Sequence, residues 1–445
     1  MSQKQELQRS MNLFQGMTYV IGLVIGSGIF LKPAIVLKNS GSTGAALLVW
    51  IFGGLITIAA ALSIAEIAAY IPKLGGLYTY LSELYGDFIG FLFGWVSTFI
   101  NAPGTIAAAG IACATFATFF IPMTLWQQRI FAISLVIFLV VTQSISTKYG
   151  VWLQTLATIG KLTPIIAIII FGLIHGTAHD ISFAAVGNIK SAGTGVALLG
   201  VLWAYDGWVT TCTLAADMKN PEKNIPKAVV TGILFVMAVY VIYNVAIFNV
   251  LPASSVVASE KIGVDVCRAL FGSGGAAFIT GGMMISVFGT VNGMLTCGSR
   301  YTFAMGERKH LPKCDVLCAI HPKLGTPINS LIFQAVVALI YILTGTFNSI
   351  TDLIVFVLWI FFILGVVGVF ILRKKVTHNP KLYHVPLFPI TPIIGVIGGV
   401  YLLYATFKDS VSSALMGLAI TLVGVPVYIY CKKKCSIQEE KQAKL

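Results

Sequence analysis

The stretch GLVIGSGIF, residues 22–30, lies inside an apolar run long enough to cross a membrane, yet it contains three glycines. Glycine destabilises a helix interior by about 1 kcal/mol relative to alanine, so a Gly-Ser-Gly sequence in mid-span predicts that the helix unwinds there. Unwound backbone at membrane depth is tolerated only where it lines a cavity or meets a ligand. The stretch therefore predicts a broken membrane helix with a binding function.

The composition is that of an all-α polytopic membrane protein. Of the 445 residues, 57% are hydrophobic and 10% are charged, whereas soluble domains carry about 25% charged residues. Polar residues cluster between the apolar runs, which argues against a large soluble core or a β-barrel. The runs predict twelve membrane helices, at approximately 12–38, 44–71, 88–120, 127–146, 151–175, 195–217, 227–251, 275–305, 327–347, 350–372, 386–407 and 410–431.

These helices group into two units of five, which have opposite orientations because five is odd. The predicted parts are an N-terminal segment 1–11, a first repeat 12–175, a second repeat 195–372, two further helices over 386–431 and a tail 432–445. The N-terminal segment has no short apolar region with a cleavage site, so we expect the first helix to be retained.

Most of the 29 lysines and arginines lie in loops on the side of the two termini. The positive-inside rule therefore predicts that both termini are cytoplasmic in a cell membrane. The net charge of +13 follows from this topology, and its spread over short loops gives no support to a nucleic-acid partner.

The run HLPKCDVLCAIHP contains four side chains of metal-ligand type, His310, Cys314, Cys318 and His321. Their irregular spacing and the two prolines favour an ordinary loop, and the eight cysteines of the chain form no disulfide framework. We predict neither a metal nor a cofactor.

A second interruption occurs five spans later, in LLGVLWAYDGWVTT, where Asp206 and Gly207 separate Trp203 from Trp208. A carboxylate at mid-membrane costs roughly 2.5–3.5 kcal/mol and is by default functional. Each break exposes N–H groups of one half-helix and carbonyls of the other, which suits the carboxylate and ammonium of an amino acid. Paired interruptions of this kind are typical of transporter binding sites.

Lys161 lies about ten residues into the predicted fifth helix, near the bilayer centre, followed by Pro164. A lysine stem reaches the interface from this depth only with difficulty. We expect its ammonium to be a structural or coupling cation bound to helix carbonyls, with a snorkelled or water-exposed lysine as the alternative.

Five motifs together resemble the L-amino acid transporter family of the amino acid/polyamine/organocation superfamily. They are IGSGIFLKPAIVLKNSGSTGAALLVW, ALSIAEIAAYIPKLGGLYTYLSELYG, LWAYDGW, KNPEKNIPKAV and SVFGTVNGMLTCGSRYTFAMGERKHLP. The resemblance covers most of helices 1 to 10. It implies a LeuT-like five-plus-five inverted repeat with broken helices 1 and 6, followed by two C-terminal helices.

The resemblance also implies a set of substrate-binding residues. The substrate carboxylate is expected on backbone N–H groups at the first break, Gly26, Ser27, Gly28 and the start of the outer half at Ile29. The amine is expected on carbonyls near Val24, Ile25, Trp203, Ala204 and Tyr205, beside Asp206. Trp203 is expected to close over the substrate from outside; the alternative is an interfacial aromatic residue.

By the same resemblance, the Lys161 ammonium takes the place of a sodium ion and bridges a carbonyl near Gly22 to the hydroxyl of Ser286. Transport without sodium follows. Glu66 is expected to form an intracellular gate or a packing ion pair, and Tyr240 and Tyr243 are weaker candidates for the site or an inner gate.

Relatives that pair covalently with a glycoprotein chain do so through a cysteine between helices 3 and 4. The corresponding loop here, FIPMTLWQQRI, has no cysteine. We therefore expect a stand-alone, prokaryotic carrier without a covalent heavy-chain partner.

The predicted function is sodium-independent exchange of small neutral L-amino acids such as alanine, serine, cysteine and threonine. Side-chain selection is expected from Trp203, Asn101, Pro103 and Trp359. Alternatives are a proton-coupled symporter in which Lys161 titrates, a carrier that also accepts cationic amino acids through Asp206, and an amino acid sensor or channel. No enzyme motif occurs at membrane depth.

Overall fold

The computed structural model describes residues 11–185, 193–259, 262–345, 347–409 and 411–443. Within these ranges the regular structure is helical, apart from one backbone bridge between Met11 and Met218. In chain order the α-helices are α1 (Leu13–Val24), α2 (Gly28–Ser40), α3 (Thr43–Tyr70), α4 (Leu77–Tyr85), α5 (Asp87–Val96), α6 (Ala102–Ala117), α7 (Leu125–Ile145), α8 (Thr147–His175), α9 (Thr194–Ala204), α10 (Pro221–Val250), α11 (Ala253–Ala258), α12 (Ile262–Glu307), α13 (Cys314–Leu317), α14 (Ile328–Thr344), α15 (Phe347–Lys375), α16 (Ile390–Asp409) and α17 (Val411–Ala443).

Two short helical segments of other types complete the chain. A π-helical turn, Ser97–Asn101, joins α5 to α6, and a 3₁₀ helix, Val209–Ala216, lies between α9 and α10. Segments of this kind within longer helices often mark functional positions or hinges.

The described residues contain nine helices long and apolar enough to cross a membrane, or ten if α1 and α2 form one bent span. The predicted spans 195–217 and 327–347 fall below this length, because α9 has 11 residues and α14 has 17. The chain is a multi-pass membrane protein. The amphipathic helix α4 was not among the predicted elements.

Local sequence explains where the first helices begin and end. Asn12 and Gln15 form a reciprocal capping box at the start of α1, with both hydrogen bonds at 2.9 Å, which satisfies N–H groups that the helix leaves unpaired. Gly41, in the left-handed conformation with φ of 78°, ends α2. The Ser42 hydroxyl then caps α3.

Buried amides fix α7, α8 and α12 against one another. Gln143 donates to the Asn292 backbone carbonyl at 2.8 Å and to its side chain at 2.9 Å. Asn292 in turn donates to the Gly150 carbonyl at 2.9 Å and to Gln154 at 3.1 Å. These hydrogen bonds connect α7, α8 and α12, and α1 packs against α8 and α12 of this group.

Glu66 ties α3 to the end of α15. Its buried carboxylate accepts two hydrogen bonds from Arg373, each 2.8 Å long, and a third of 2.7 Å from the Val385 N–H. The geometry suits the packing ion pair among the two roles expected for Glu66. Sequence reasoning did not identify Arg373, which lies more than 300 residues away.

Replacing Glu66 by alanine should lower the free energy of unfolding by about 2–3 kcal/mol, because it leaves the Val385 N–H and one side of Arg373 without a partner. Glu83→Ala is the matched control. The Glu83 side chain is 37% exposed beside Lys73 and Arg308, and its loss should cost less than about 1 kcal/mol. Thermal unfolding of the purified protein in detergent measures both; equal midpoints for the two variants would contradict this role.

Candidate functional site

The first predicted break is present. Helix α1 ends at Val24, the next three residues are not helical, and α2 begins at Gly28 with a bend of 43°. Within the described backbone hydrogen bonds, the N–H groups of Ser27, Gly28 and Ile29 have no carbonyl acceptor. They stand at the positive end of the α2 dipole, where an anion is stabilised.

Gly26 differs from its expected role as a donor. Its N–H is already hydrogen-bonded to the Val24 carbonyl at 2.9 Å, because the last turn of α1 tightens before the chain changes direction. Gly26 lines the cavity, and its contribution is space rather than a hydrogen bond.

The sixth predicted span is broken at the corresponding place. Helix α9 ends at Ala204, a turn follows over 205–208, and Gly207 has φ of 111°, a conformation that side chains rarely adopt. The 3₁₀ helix Val209–Ala216 then continues the chain.

The two breaks touch each other. A Cβ atom on Gly28 would lie 2.8 Å from the Ala204 Cα, and one on Gly207 would lie 3.0 Å from the backbone of Leu23. Both glycines are therefore required for close approach of the two backbones.

A cavity of about 30 Å³ lies between the two breaks. It has room for about two water molecules, so an amino acid requires the surrounding helices to move apart. Its walls come from the first span, α6, the sixth span and α12: Leu23, Val24, Gly26, Ser27, Gly28, Thr105, Ala109, Trp203, Asp206, Gly207, Thr290 and Met294.

Three residues expected as pocket walls are not among those lining this cavity: Asn101, Pro103 and Trp359. On α6, Thr105 and Ala109 line this small cavity. The role of Asn101, Pro103 and Trp359 around a bound substrate stays a prediction. The Asn101 side chain accepts a hydrogen bond from the Thr105 hydroxyl at 3.4 Å, so it supports the wall from behind.

Trp203 and Asp206 both line the cavity and are partly exposed. No lysine, arginine or histidine within the described ranges forms an ion pair with Asp206. The carboxyl group therefore lies beside the space between the breaks without a cationic partner from this part of the chain.

Tyr240 joins the two breaks. Its hydroxyl lies 2.9 Å from the carbonyl oxygens of both Val24 and Ala204, and the residue is fully buried. Two carbonyls expected to hold a substrate amine are thus contacted by this hydroxyl.

Tyr205 and Tyr243 point away from the cavity. The Tyr205 hydroxyl donates to the Trp50 carbonyl at 3.3 Å. The Tyr243 ring packs edge-on against Phe30 with 6.3 Å between centroids, and its hydroxyl has no hydrogen-bond partner among the described residues.

The Lys161 ammonium lies at the end of α1. It donates to the Gly22 carbonyl at 2.7 Å and to the Ile25 carbonyl at 2.5 Å, and the residue has no exposed surface. Ser286 donates to the same Ile25 carbonyl at 3.2 Å. The expected bridge to Ser286 therefore runs through the Ile25 carbonyl, which both donors contact. The expected role of Ile25 toward a substrate amine stays a prediction.

Comparison with known proteins identifies the family of the chain. Residues 11–427 match the model of the amino acid permease family. The serine/threonine exchanger SteT of Bacillus subtilis (strain 168) is 40% identical over 430 residues, 96% of this chain and 98% of that protein. The human cystine/glutamate transporter is 31% identical, covering 96% and 86%, and the human large neutral amino acids transporter small subunit 2 is 32% identical, covering 95% and 80%.

The chain belongs to the amino acid permease family, and its predicted resemblance to L-amino acid transporters is confirmed. It is an amino acid transporter and not an enzyme.

Gly28→Ala should weaken amino acid binding about tenfold or more, because the added methyl group meets the Ala204 backbone and overpacking of this kind costs about 1–3 kcal/mol. Gly281→Ala on α12 is the matched control, since Gly281 lies outside the cavity and its added Cβ would have no neighbour among the described residues within 4 Å. Saturation binding of a labelled amino acid to purified, monodisperse protein compares the two. Equal affinities would show that the ligand does not use the contact between the breaks.

Proposed function

We propose that this protein is a sodium-independent exchanger of small neutral L-amino acids, with serine, threonine, alanine and cysteine as the first candidates. The observation that carries the proposal is the Lys161 ammonium on the carbonyls of Gly22 and Ile25, directly below a break with three free N–H groups. Once the helices around the cavity move apart, the free N–H groups can bind the carboxylate of a zwitterion without an additional ion.

The lysine supports independence from sodium. Carbonyl oxygens freed at a helix end in the membrane need a cation or a hydrogen-bond donor. Lys161 and Ser286 together occupy the Ile25 carbonyl, so a metal ion would have to displace a resident ammonium.

Small substrates are supported by the cavity and by one relative. The space between the breaks holds about 30 Å³ and is bordered by the bulky Trp203. The hydroxyls of Thr105 and Thr290 and the carboxyl of Asp206 are polar groups that a substrate hydroxyl can reach. A relative that covers nearly the whole chain is named as a serine/threonine exchanger.

We further propose twelve membrane crossings in a five-plus-five inverted repeat with two C-terminal helices. The bent pair α1 and α2 supplies the first crossing, α9 with the 3₁₀ helix the sixth, and α14 the ninth. Basic loops on the N-terminal side support cytoplasmic termini in a cell membrane. The cysteine-free loop at 120–130 supports a carrier without a covalent heavy chain.

Counterflow in proteoliposomes tests the exchange mechanism. Uptake of labelled serine should require unlabelled serine, threonine or alanine inside the vesicles, and replacing sodium by choline should leave the rate unchanged. Uptake into empty vesicles driven by a pH gradient would instead support proton-coupled symport. Strong competition by lysine or arginine would extend the substrates to cationic amino acids through Asp206, and binding without movement would support a sensor.

Lys161→Ala should reduce exchange by more than about tenfold, because the buried Gly22 carbonyl loses its donor and the Ile25 carbonyl keeps only Ser286. An unsatisfied buried carbonyl costs roughly 1–3 kcal/mol. Lys148→Ala, at an exposed position near the start of the same helix, is the control and should exchange normally. Initial counterflow rates at equal protein density measure the effect. An unchanged rate for Lys161→Ala would remove the basis for the resident-cation role.

A further inference from the structure

The most deeply buried ion pair within the described ranges lies outside the cavity. Arg300 on α12 donates to both carboxylate oxygens of Asp217, at 3.0 and 2.8 Å, and the two side chains are 1% and 9% exposed. Asp217 directly follows the 3₁₀ helix of the broken sixth span. The pair therefore connects the inner half of that span to α12.

The chain before α1 is attached at the same place. The Met11 N–H donates to the Asp217 carbonyl, and the Lys219 N–H donates to the Met11 carbonyl, each at 2.9 Å. The Met218 side chain packs against Gly16 of α1. The two segments on the Met11 side of the breaks, α1 and the 3₁₀ helix Val209–Ala216, are called the inner halves here. They are thus joined to each other, and Arg300 connects the joined pair to α12.

Three buried hydroxyls, those of Tyr80, Thr211 and Tyr301, have no well-formed hydrogen bond among the described residues. They lie on α4, the 3₁₀ helix and α12, which carry or adjoin the residues of the ion pair. Tyr80 on α4 and Tyr301 on α12 both lie near Cys212 of the 3₁₀ helix. Tyr301 also lies near Asp206, which lines the cavity. A buried hydroxyl without a partner is unfavourable and calls for an explanation.

We propose that the Arg300–Asp217 pair is the latch that closes the substrate path toward the face of the protein that holds Met11. The hydroxyls of Tyr80, Thr211 and Tyr301 line this path and are hydrated when it opens. The inference rests on the proposed function, since it assigns the inner half of the path to that transporter.

One movement explains both the buried ion pair and the hydroxyls without a hydrogen bond. When the joined inner halves swing away from α12, water reaches Arg300 and Asp217, and both charges exchange a protein partner for hydration. The same water reaches the three hydroxyls that the closed structure leaves unpaired. In the closed state the bidentate geometry holds the path shut, because separating a buried pair without solvent is strongly unfavourable.

Cys212 provides a reporter for the opening. Cys212 has no exposed surface. Cys267, near the start of α12, also has none, lies outside the proposed path and serves as the matched control. Full-length variants that retain either Cys212 or Cys267 alone, with the other seven cysteines replaced by serine, are placed in nanodiscs. A charged maleimide is then added, and the rate of thiol modification is followed by mass spectrometry.

Adding Asp217→Asn should accelerate modification of Cys212 at least about tenfold and leave Cys267 unchanged. Arg300→Lys keeps the charge but removes the bidentate contact, and should give a smaller acceleration at Cys212. It also supplies a second test if Asp217→Asn does not yield monodisperse protein. The latch would be overturned if Cys212 were modified equally fast with and without the Asp217→Asn or Arg300→Lys substitution. It would also be overturned if Cys267 modification accelerated as much as Cys212 modification.

The assay contains no amino acid, so its outcome is separate from that of counterflow. Normal exchange with an unresponsive Cys212 would reject the latch and leave the proposed function intact. Faster modification of Cys212 in the variants, together with no exchange by the unsubstituted protein, would support the latch and reject the proposed function.

Discussion

The structure depends on how the carbonyls at the end of α1 are satisfied inside a membrane. A helix that stops at mid-depth leaves carbonyl oxygens without donors, and there is no bulk water to take their place. Lys161 provides a permanent donor from α8, and Ser286 adds a second from α12. The break can therefore exist without a bound metal ion, and the N–H groups on its other side remain free for an anion.

The second requirement is that the two breaks stay together. Glycines at 28 and 207 allow the backbones of the first and sixth spans to touch, and Tyr240 lies within hydrogen-bond distance of a carbonyl from each. In the proposed function, backbone atoms at the two breaks bind the part that all amino acids share. Thr105, Asp206, Trp203 and Thr290, which line the cavity, are then proposed to surround the variable side chain.

Local sequence was sufficient for features that arise within one helix. The Gly-Ser-Gly break, the Asp206–Gly207 interruption and the depth of Lys161 follow from hydrophobicity and residue type alone. Pairings between distant segments did not follow: Arg373 as the partner of Glu66 and Tyr240 as the link between breaks need the packed fold. The position of Thr105 and Ala109 on the cavity likewise needs the packed fold, because this apolar helix has no local signal for the side that faces the breaks.

An experimental structure with bound L-serine would show which groups hold the substrate. We expect the serine carboxylate within hydrogen-bond distance of the N–H groups of Ser27, Gly28 or Ile29, while the Lys161 ammonium remains on the carbonyls of Gly22 and Ile25. A carboxylate bound to a cationic side chain, or a sodium ion in place of the Lys161 ammonium, would contradict this expectation.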